Sequence, residues 1–251
     1  MHRFFVPAEQ TQNAEFELPA SETHHATRVL RLKPRDRVEV LNGAGESILC
    51  EMEAVTPPGV RLRVLQRHQA APPACAITLF QAVPKPRAME LIVQKATELG
   101  TSRVVPLLSD RAVAHWDEAD LRGKTAKWRA VAIEAAKQCG SPWLPDIDSP
   151  QTVAAALRNA RRSELTLLAS LQPGARHPRL CFDDCRRPDQ PIPPSAAVWV
   201  GPEGDFTPAE LNAIRSSGAQ PITLGPLVLR SETAAIYCLS ILAYETQWAA
   251  G

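Results

Sequence analysis

Two segments of this chain pair a strand ending with glycine, proline and a helix start, a combination able to hold a ligand through backbone groups. The first, Val198-Trp199-Val200-Gly201-Pro202-Glu203-Gly204-Asp205-Phe206, runs from a buried-looking strand into a Gly-Pro-x-Gly loop. Thr207 reads as the N-cap of the next helix, Pro208 as its first residue and Glu210 as the capping-box partner, so the backbone is fixed directly after the glycines. The second, Ile222-Thr223-Leu224-Gly225-Pro226, is again a short strand ending in Gly-Pro, and Leu229-Arg230-Ser231-Glu232-Thr233 then opens the last helix. Glycine strips both loops of side chains and proline stiffens them, which suits a ligand gripped at the carboxyl ends of two strands. Neither loop fits the glycine patterns that cradle a diphosphate, and no lysine follows the glycines. Taken singly, either loop reads as an ordinary strand-to-helix turn, and it is the pair that points to a ligand.

Together with residues elsewhere, these segments resemble the RsmE family, SPOUT-class enzymes that methylate N3 of a uridine in bacterial 16S ribosomal RNA of the small subunit. The matching residues are Val200-Gly201-Pro202-Glu203-Gly204, Leu224-Gly225-Pro226, Leu229-Arg230-Ser231-Glu232-Thr233-Ala234, Arg3-Phe4-Phe5-Val6, His25, Val29-Leu30-Arg31-Leu32 and Glu90 to Gly100. Three positions depart from the pattern: Asp205 replaces a third glycine, Leu227 an arginine, and Ser141, after Gln138-Cys139-Gly140, another arginine.

The resemblance implies S-adenosylmethionine as cofactor, held bent in a C-terminal trefoil knot by loops around Leu171-Gln172-Pro173, Gly201 to Gly204 and Leu224 to Leu229. The implied cofactor-binding residues are Leu171, Gly201, Pro202, Glu203, Gly204, Leu224, Gly225, Val228 and Leu229. Such loops suit the cofactor physically, since main-chain groups can read the adenine, apolar side chains can enclose it, and a sulfonium needs no anionic cradle. Uracil N3 is a poor nucleophile until it loses its proton, and an arginine beside the carbonyl oxygens would stabilise the developing anion. Arg230 is the first candidate for that role, with a salt bridge to Glu203 or Glu232 as the alternative. Glu232 is either a catalytic carboxylate or one stabilised by the helix dipole in a first turn. Arg3, Arg28, Arg31, Lys85 and Arg111 are the RNA-binding candidates, against solvated surface charge. The implied partners are 16S rRNA within the assembled small subunit and a second copy of the chain, a homodimer packed through the last helix from Glu232 to Trp248. A methyltransferase acting on another RNA such as tRNA would share every cofactor feature, and a non-enzymatic RNA-binding protein would share the basic runs.

Composition adds limits. The 251 residues carry 28 Lys and Arg against 27 Asp and Glu, a formal net charge of +1, so binding to an anionic polymer must come from local clusters. Arg28, Arg31, Lys33, Arg35 and Arg37 against Asp36 form one such run, and Arg122, Lys124, Lys127, Arg129 and Lys137 against Glu134 another, each also readable as a solvated helix face. The six cysteines contain no Cys-x-x-Cys pair, and with no run of about twenty apolar residues the chain is expected in the reducing cytoplasm, with free thiols and no membrane or metal partner. His24 and His25 are expected to cap or pack rather than bind metal, because adjacent helical residues point about 100° apart.

The elements that must position the loops divide near Ala70-Ala71-Pro72-Pro73. Residues 1–72 alternate in strand-like fashion around Asn42-Gly43-Ala44-Gly45 and Pro57-Pro58-Gly59 turns, which suggests a small antiparallel β-barrel, with only Ser21 to Arg31 helical. The resemblance implies that this barrel is PUA-like and RNA-binding. Residues 73–251 switch to βαβ periodicity, giving an α/β domain with a parallel sheet. Strands are expected at 77–83, 103–108 and 165–169, helices at 89–99 and 124–139, and an extended loop over the proline-rich 186–194. The resemblance makes this the knotted SPOUT methyltransferase domain.

Overall fold

The computed structural model describes residues 1–56, 59–84, 86–111 and 118–247. The chain divides into two compact units, residues 1–72 with 133–144, and residues 73–132 with 145–251. This differs from a plain split after residue 72, because the segment 133–144 packs within the first unit. Trp143 closes over Gly45, whose N–H donates to the Pro142 carbonyl at 2.9 Å, and Leu144 N–H donates to the Gly43 carbonyl at 3.1 Å.

The first unit is built on strands β1 (His2–Phe5), β2 (Glu15–Glu17), β3 (Arg37–Leu41), β4 (Glu46–Thr56) and β5 (Gly59–Gln69), paired in the order β1-β3-β4-β5-β2. Alternating Val38, Val40, Ile48, Cys50, Met52, Val60 and Leu62 point inward and join Phe4, Val6 and Phe16 in one core. The sheet is not purely antiparallel as expected: β1 runs parallel to β3, with Phe4 beside Val40. The parallel pairing is possible because a long connection, including the helix α1 (Ala20–His24) and a π turn His25–Val29, separates the two strands. His25 packs edge-on against Phe4, 6.3 Å between ring centroids, in the packing role expected of it.

The second unit carries a parallel sheet of β6 (Ala76–Ala82), β7 (Arg103–Leu108), β8 (Asp146–Ile147), β9 (Gln151–Thr152), β10 (Leu165–Ala169), β11 (Ser195–Val200) and β12 (Gln220–Ile222). The strand order is β12-β10-β11-β6-β7-β8, with β9 also beside β7. Pro106, which cannot donate to a ladder, lies between the pairing of Val104 with β8 and that of Leu107 with β9. The edge strand β12 ends two residues earlier than expected, at Ile222, which releases Thr223 and Leu224 into the following loop. Its Pro221 is tolerated at an edge.

Helices cover both faces. Leu211 and Ile214 of α6 (Pro208–Ser216) and Val153 and Ala156 of α4 (Val153–Asn159) pack with Phe80, Leu168 and Trp199. Phe80 and Trp199, paired in register on β6 and β11, stack at 4.0 Å. The helices α2 (Pro86–Glu98) and α7 (Ser231–Thr246) pack on one another, and α7 also packs on β6 and β11. A long helix, α3 (Glu118–Cys139), begins earlier than its expected start at Lys124. Neither α4 nor α5 (Pro178–Cys185) is marked by sequence periodicity, because each is too short to show a repeated apolar stripe. No helix among the described residues is long and apolar enough to cross a membrane.

Candidate cofactor pocket and basic surface

The chain runs from β6 to β7 on one side of the sheet and later returns to fill the other side with β10, β11 and β12. That reversal creates a switch point between β6 and β11, where ligands of open parallel sheets sit beyond the carboxyl ends of the strands. On the β11 side of that point the adjacent strands β12, β10 and β11 each end in a loop, residues 223–230, 170–176 and 201–207 respectively. Together the loops enclose a cavity of about 350 Å³. Its size falls in the range of small-molecule sites.

Backbone hydrogen bonds fix the loops to one another. Ser170 N–H donates to the Ile222 carbonyl at 3.0 Å, and Thr223 N–H to the Arg176 carbonyl at 2.9 Å. In the β11 loop the Asp205 N–H closes a turn onto the Pro202 carbonyl at 2.9 Å, and Phe206 sinks into the core, 1% exposed. The expected capping box at Thr207 and Glu210 is formed, and Glu210 does more than cap. Its carboxylate also accepts from Ser109 Oγ at 3.1 Å and Asp110 N–H at 3.0 Å, tying α6 to the loop after β7. Arg111, from that same loop, donates to the Gly204 carbonyl.

Asp205 explains one departure from the family pattern. It has φ of 60°, a left-handed backbone that favours glycine, and its Oδ1 accepts from Phe206 N–H at 2.8 Å. A short acidic side chain tolerates this conformation by bonding its own backbone. Leu227, the second departure, is 72% exposed at the rim, as are Val228 at 74% and Leu171 at 57%, giving the pocket an apolar lip. The third departure, Ser141, donates through its hydroxyl to the Trp143 carbonyl at 2.8 Å within the first unit.

Of the cofactor candidates, Leu171, Gly201, Pro202, Glu203, Leu224, Gly225, Val228 and Leu229 line the cavity. Gly204 does not, and meets Arg111 outside it. Gly225 has φ of 107° and nothing within 4 Å of where a Cβ would stand, an open cradle beside the cavity. At Gly201 a Cβ would instead crowd Asp205 Oδ1 at 3.2 Å and Phe206 N at 3.3 Å, so this glycine is needed for loop closure rather than for ligand space. Arg230 is the N-cap residue of α7, exposed, between the lining residues Leu229 and Ser231. Among the described residues it forms no ion pair with Glu203 or Glu232, so the salt-bridge alternative is not realised. Glu232 lies in the first turn of α7, outside the lining. Lys85 lies outside the described residues.

Sequence reasoning missed Gln81, 0% exposed at the carboxyl end of β6, which donates to Ser231 Oγ at 2.9 Å. The available signal was a lone amide in an apolar strand.

In the first unit the basic candidates separate. Arg3 is engaged: Nε donates to Glu39 Oε2 at 2.8 Å, and Nη1 reaches the carbonyls of Lys137 and Gln138 at the end of α3. Burial works against the ionised form of Glu39, but the Ser47 hydroxyl and the Arg3 guanidinium outweigh it and hold its pKa below the usual value. Arg3 therefore caps a helix end rather than presenting a free cation. Lys137 is likewise paired, with Glu22 at 2.8 Å and Glu134 at 2.7 Å. Arg28 and Arg31 are exposed and carry no ion pair among the described residues, as are Lys33, Arg35 and Arg37. The helical segment ends with Leu32 N–H donating to the Ala26 carbonyl at 3.0 Å while Arg31 takes φ of 54°, where glycine is usual. Among the described residues no group of His, Cys, Asp and Glu could hold a metal ion.

Comparison with known proteins agrees with this arrangement. A family model described as an RNA methyltransferase domain matches residues 71–243, and one described as an RNA methyltransferase PUA domain matches residues 18–65. A Mycobacterium bovis protein named ribosomal RNA small subunit methyltransferase E is 30% identical over 243 residues, covering 97% of this chain and 91% of the relative. A Legionella pneumophila structure, solved in complex with the bound cofactor SAM, superposes with a TM-score of 0.85 at 30% identity, covering 96% of each chain. A Neisseria gonorrhoeae ribosomal RNA small subunit methyltransferase E bound to S-adenosyl methionine shares the fold, with a TM-score of 0.82 at 24% identity over 97% of each chain. The chain belongs to the ribosomal RNA small subunit methyltransferase E family.

Proposed function

We propose that this chain transfers a methyl group from S-adenosylmethionine to N3 of a uridine in 16S rRNA of the small subunit. The observation that carries the reading is the three-loop cavity beyond the carboxyl ends of β12, β10 and β11, with Arg230, which forms no ion pair among the described residues, at its edge. Bound there, the cofactor supplies an electrophilic methyl group. The exposed apolar rim of Leu171, Leu227 and Val228 is suited to close over an adenine, while main-chain groups of the glycine loops read its edge. Arg230 stabilises negative charge on a uracil oxygen as N3 loses its proton, an interaction of a few kcal/mol for a well-placed donor. Glu232, in the first turn of α7, is the second candidate, as a carboxylate that takes part in proton transfer.

The first unit supplies RNA contacts through Arg28 and Arg31, and Arg111, in the loop after β7, and Lys85 extend such contacts. The first unit, residues 1–72 with 133–144, acts as the RNA-binding PUA-like domain, and the second as the SPOUT domain with its C-terminal knot. The working form is a homodimer through α7, which is apolar around its circumference and exposes Tyr237 at 47% and Tyr244 at 75%, seven residues apart on one face. The cytoplasm, where ribosomal subunits are assembled, is its place of action.

The test is a mass-spectrometric map of modified nucleosides in small-subunit RNA from cells with and without the gene. Loss of one N3-methyluridine, restored by the wild-type gene, is expected. An unchanged 16S map with a methyl group missing from tRNA would move the substrate to tRNA, and an unchanged map of all RNA would refute the enzymatic reading.

A further inference from the structure

Gln81 is wholly buried near the carboxyl end of β6. Its Nε2 donates to Ser231 Oγ at 2.9 Å and to the Ala82 carbonyl at 2.8 Å, while Oε1 is buried with no hydrogen-bond partner among the described residues. Ser231 Oγ in turn donates to the Gly201 carbonyl at 2.8 Å. A serine hydroxyl has one proton to give. With the Gln81 amide on its acceptor side, that proton is directed at Gly201.

The relay starts in β6, passes through the first residue of α7 and ends on the first glycine of the β11 loop, spanning the switch point. Two of its members, Ser231 and Gly201, line the ligand cavity, Gln81 stands behind them, and Ser231 directly follows Arg230. Packing alone would be served better by methionine, which fills a similar volume and leaves no buried amide oxygen without a partner. The amide is therefore explained by its donor end.

We propose that Gln81 is a positioning residue for methyl transfer: acting through Ser231, it locks the Gly201 loop to the first turn of α7 and so fixes Arg230 relative to the cofactor pocket. This rests on the reading of the cavity as the S-adenosylmethionine site.

The test uses the full-length protein with Gln81→Met, Gln81→Leu, Ser231→Ala and the Gln81→Met/Ser231→Ala double variant. Calorimetry gives S-adenosylmethionine affinity, single-turnover assays on small-subunit RNA at saturating cofactor give the chemical rate, and thermal melting of the cofactor-free protein gives stability. Gln81→Met should melt at or above the wild-type temperature yet lose about tenfold in affinity or rate. The double variant should be no worse than the poorer single variant, because residues in one hydrogen-bond network couple rather than add. Effects that multiply, or a Gln81→Met and Gln81→Leu pair that bind and react like wild type, would overturn the relay alone. Should Gln81→Met and Gln81→Leu both fail to fold, Gln81 would be a folding residue and the proposal would fall. Wild-type protein that binds no S-adenosylmethionine would overturn the cofactor reading, and the relay with it.

Discussion

Gly225 offers the sharpest perturbation, because its two possible roles predict different results. Its φ of 107° lies where L residues are rarely found, while the space a Cβ would enter is empty of protein atoms. In Gly225→Ala the protein itself therefore has no clash to relieve, and the cost is backbone strain of about 1–3 kcal/mol. The loop is exposed at Gly225, Pro226, Leu227 and Val228, so it can relax without disturbing the core. Stability should hardly change. Binding must then restore the strained conformation, and at 1.4 kcal/mol per factor of ten the affinity for S-adenosylmethionine should fall by about 5- to 150-fold. Gly204→Ala is the control: it lacks a left-handed φ, lies off the cavity, and would meet only Arg111 Cδ at an ordinary 3.9 Å, so affinity should stay within about twofold. Isothermal titration calorimetry with both variants decides the matter. Unchanged affinity in a folded Gly225→Ala protein, or an equal loss in Gly204→Ala, would refute the argument that the β12 loop is held in its conformation for the ligand.

Arg230→Ala should lower single-turnover methylation of small-subunit RNA by about a hundredfold or more and leave cofactor affinity within a few-fold, the mark of an interaction made in the transition state. Loss of cofactor binding in proportion to activity would make it a structural clamp instead. Burial pushes the thiols of Cys50 and Cys238 up to about 12 and that of Cys75 to about 11 from an ordinary value of 9. Their folded values are raised, so their contribution to stability is complete below pH 9 and is lost as pH rises from 9 through 12; melting temperature should decline there, and at pH 8 iodoacetamide should label exposed Cys139 in preference to these three. Glu39 has a lowered pKa, so its contribution is present above its ordinary 4.5 and is lost as pH falls through the lower folded value. Glu39→Gln should make melting less dependent on pH below 4.5, and an identical profile would remove Glu39 from the acid response.

The amino-acid sequence by itself determined the local chemistry. Strand-loop-helix transitions at Val200 and Thr207, the capping box with Glu210, the apolar strands around Ile77, Val104 and Leu167, and the alternation of Val38 to Leu41 all follow from short-range rules of periodicity, capping and glycine conformation. Those rules also marked two of the three loops that line the cavity, while the third, around Leu171, was implied only by the family resemblance. They could not show that the loops meet. That depends on the order β12-β10-β11 in the sheet, which places strands more than fifty residues apart side by side and is fixed by packing of the whole unit. Likewise Arg3, read as an RNA contact, is a cap for a helix end more than 130 residues away, and Gln81 acquires its partner Ser231 across 150 residues. The two glycines of the loops looked equivalent in sequence, yet one is required by its neighbours Asp205 and Phe206 and the other by its own φ. Hydrogen-bond partners and strand neighbours are set by which distant surfaces bury one another, and only the tertiary structure decides that.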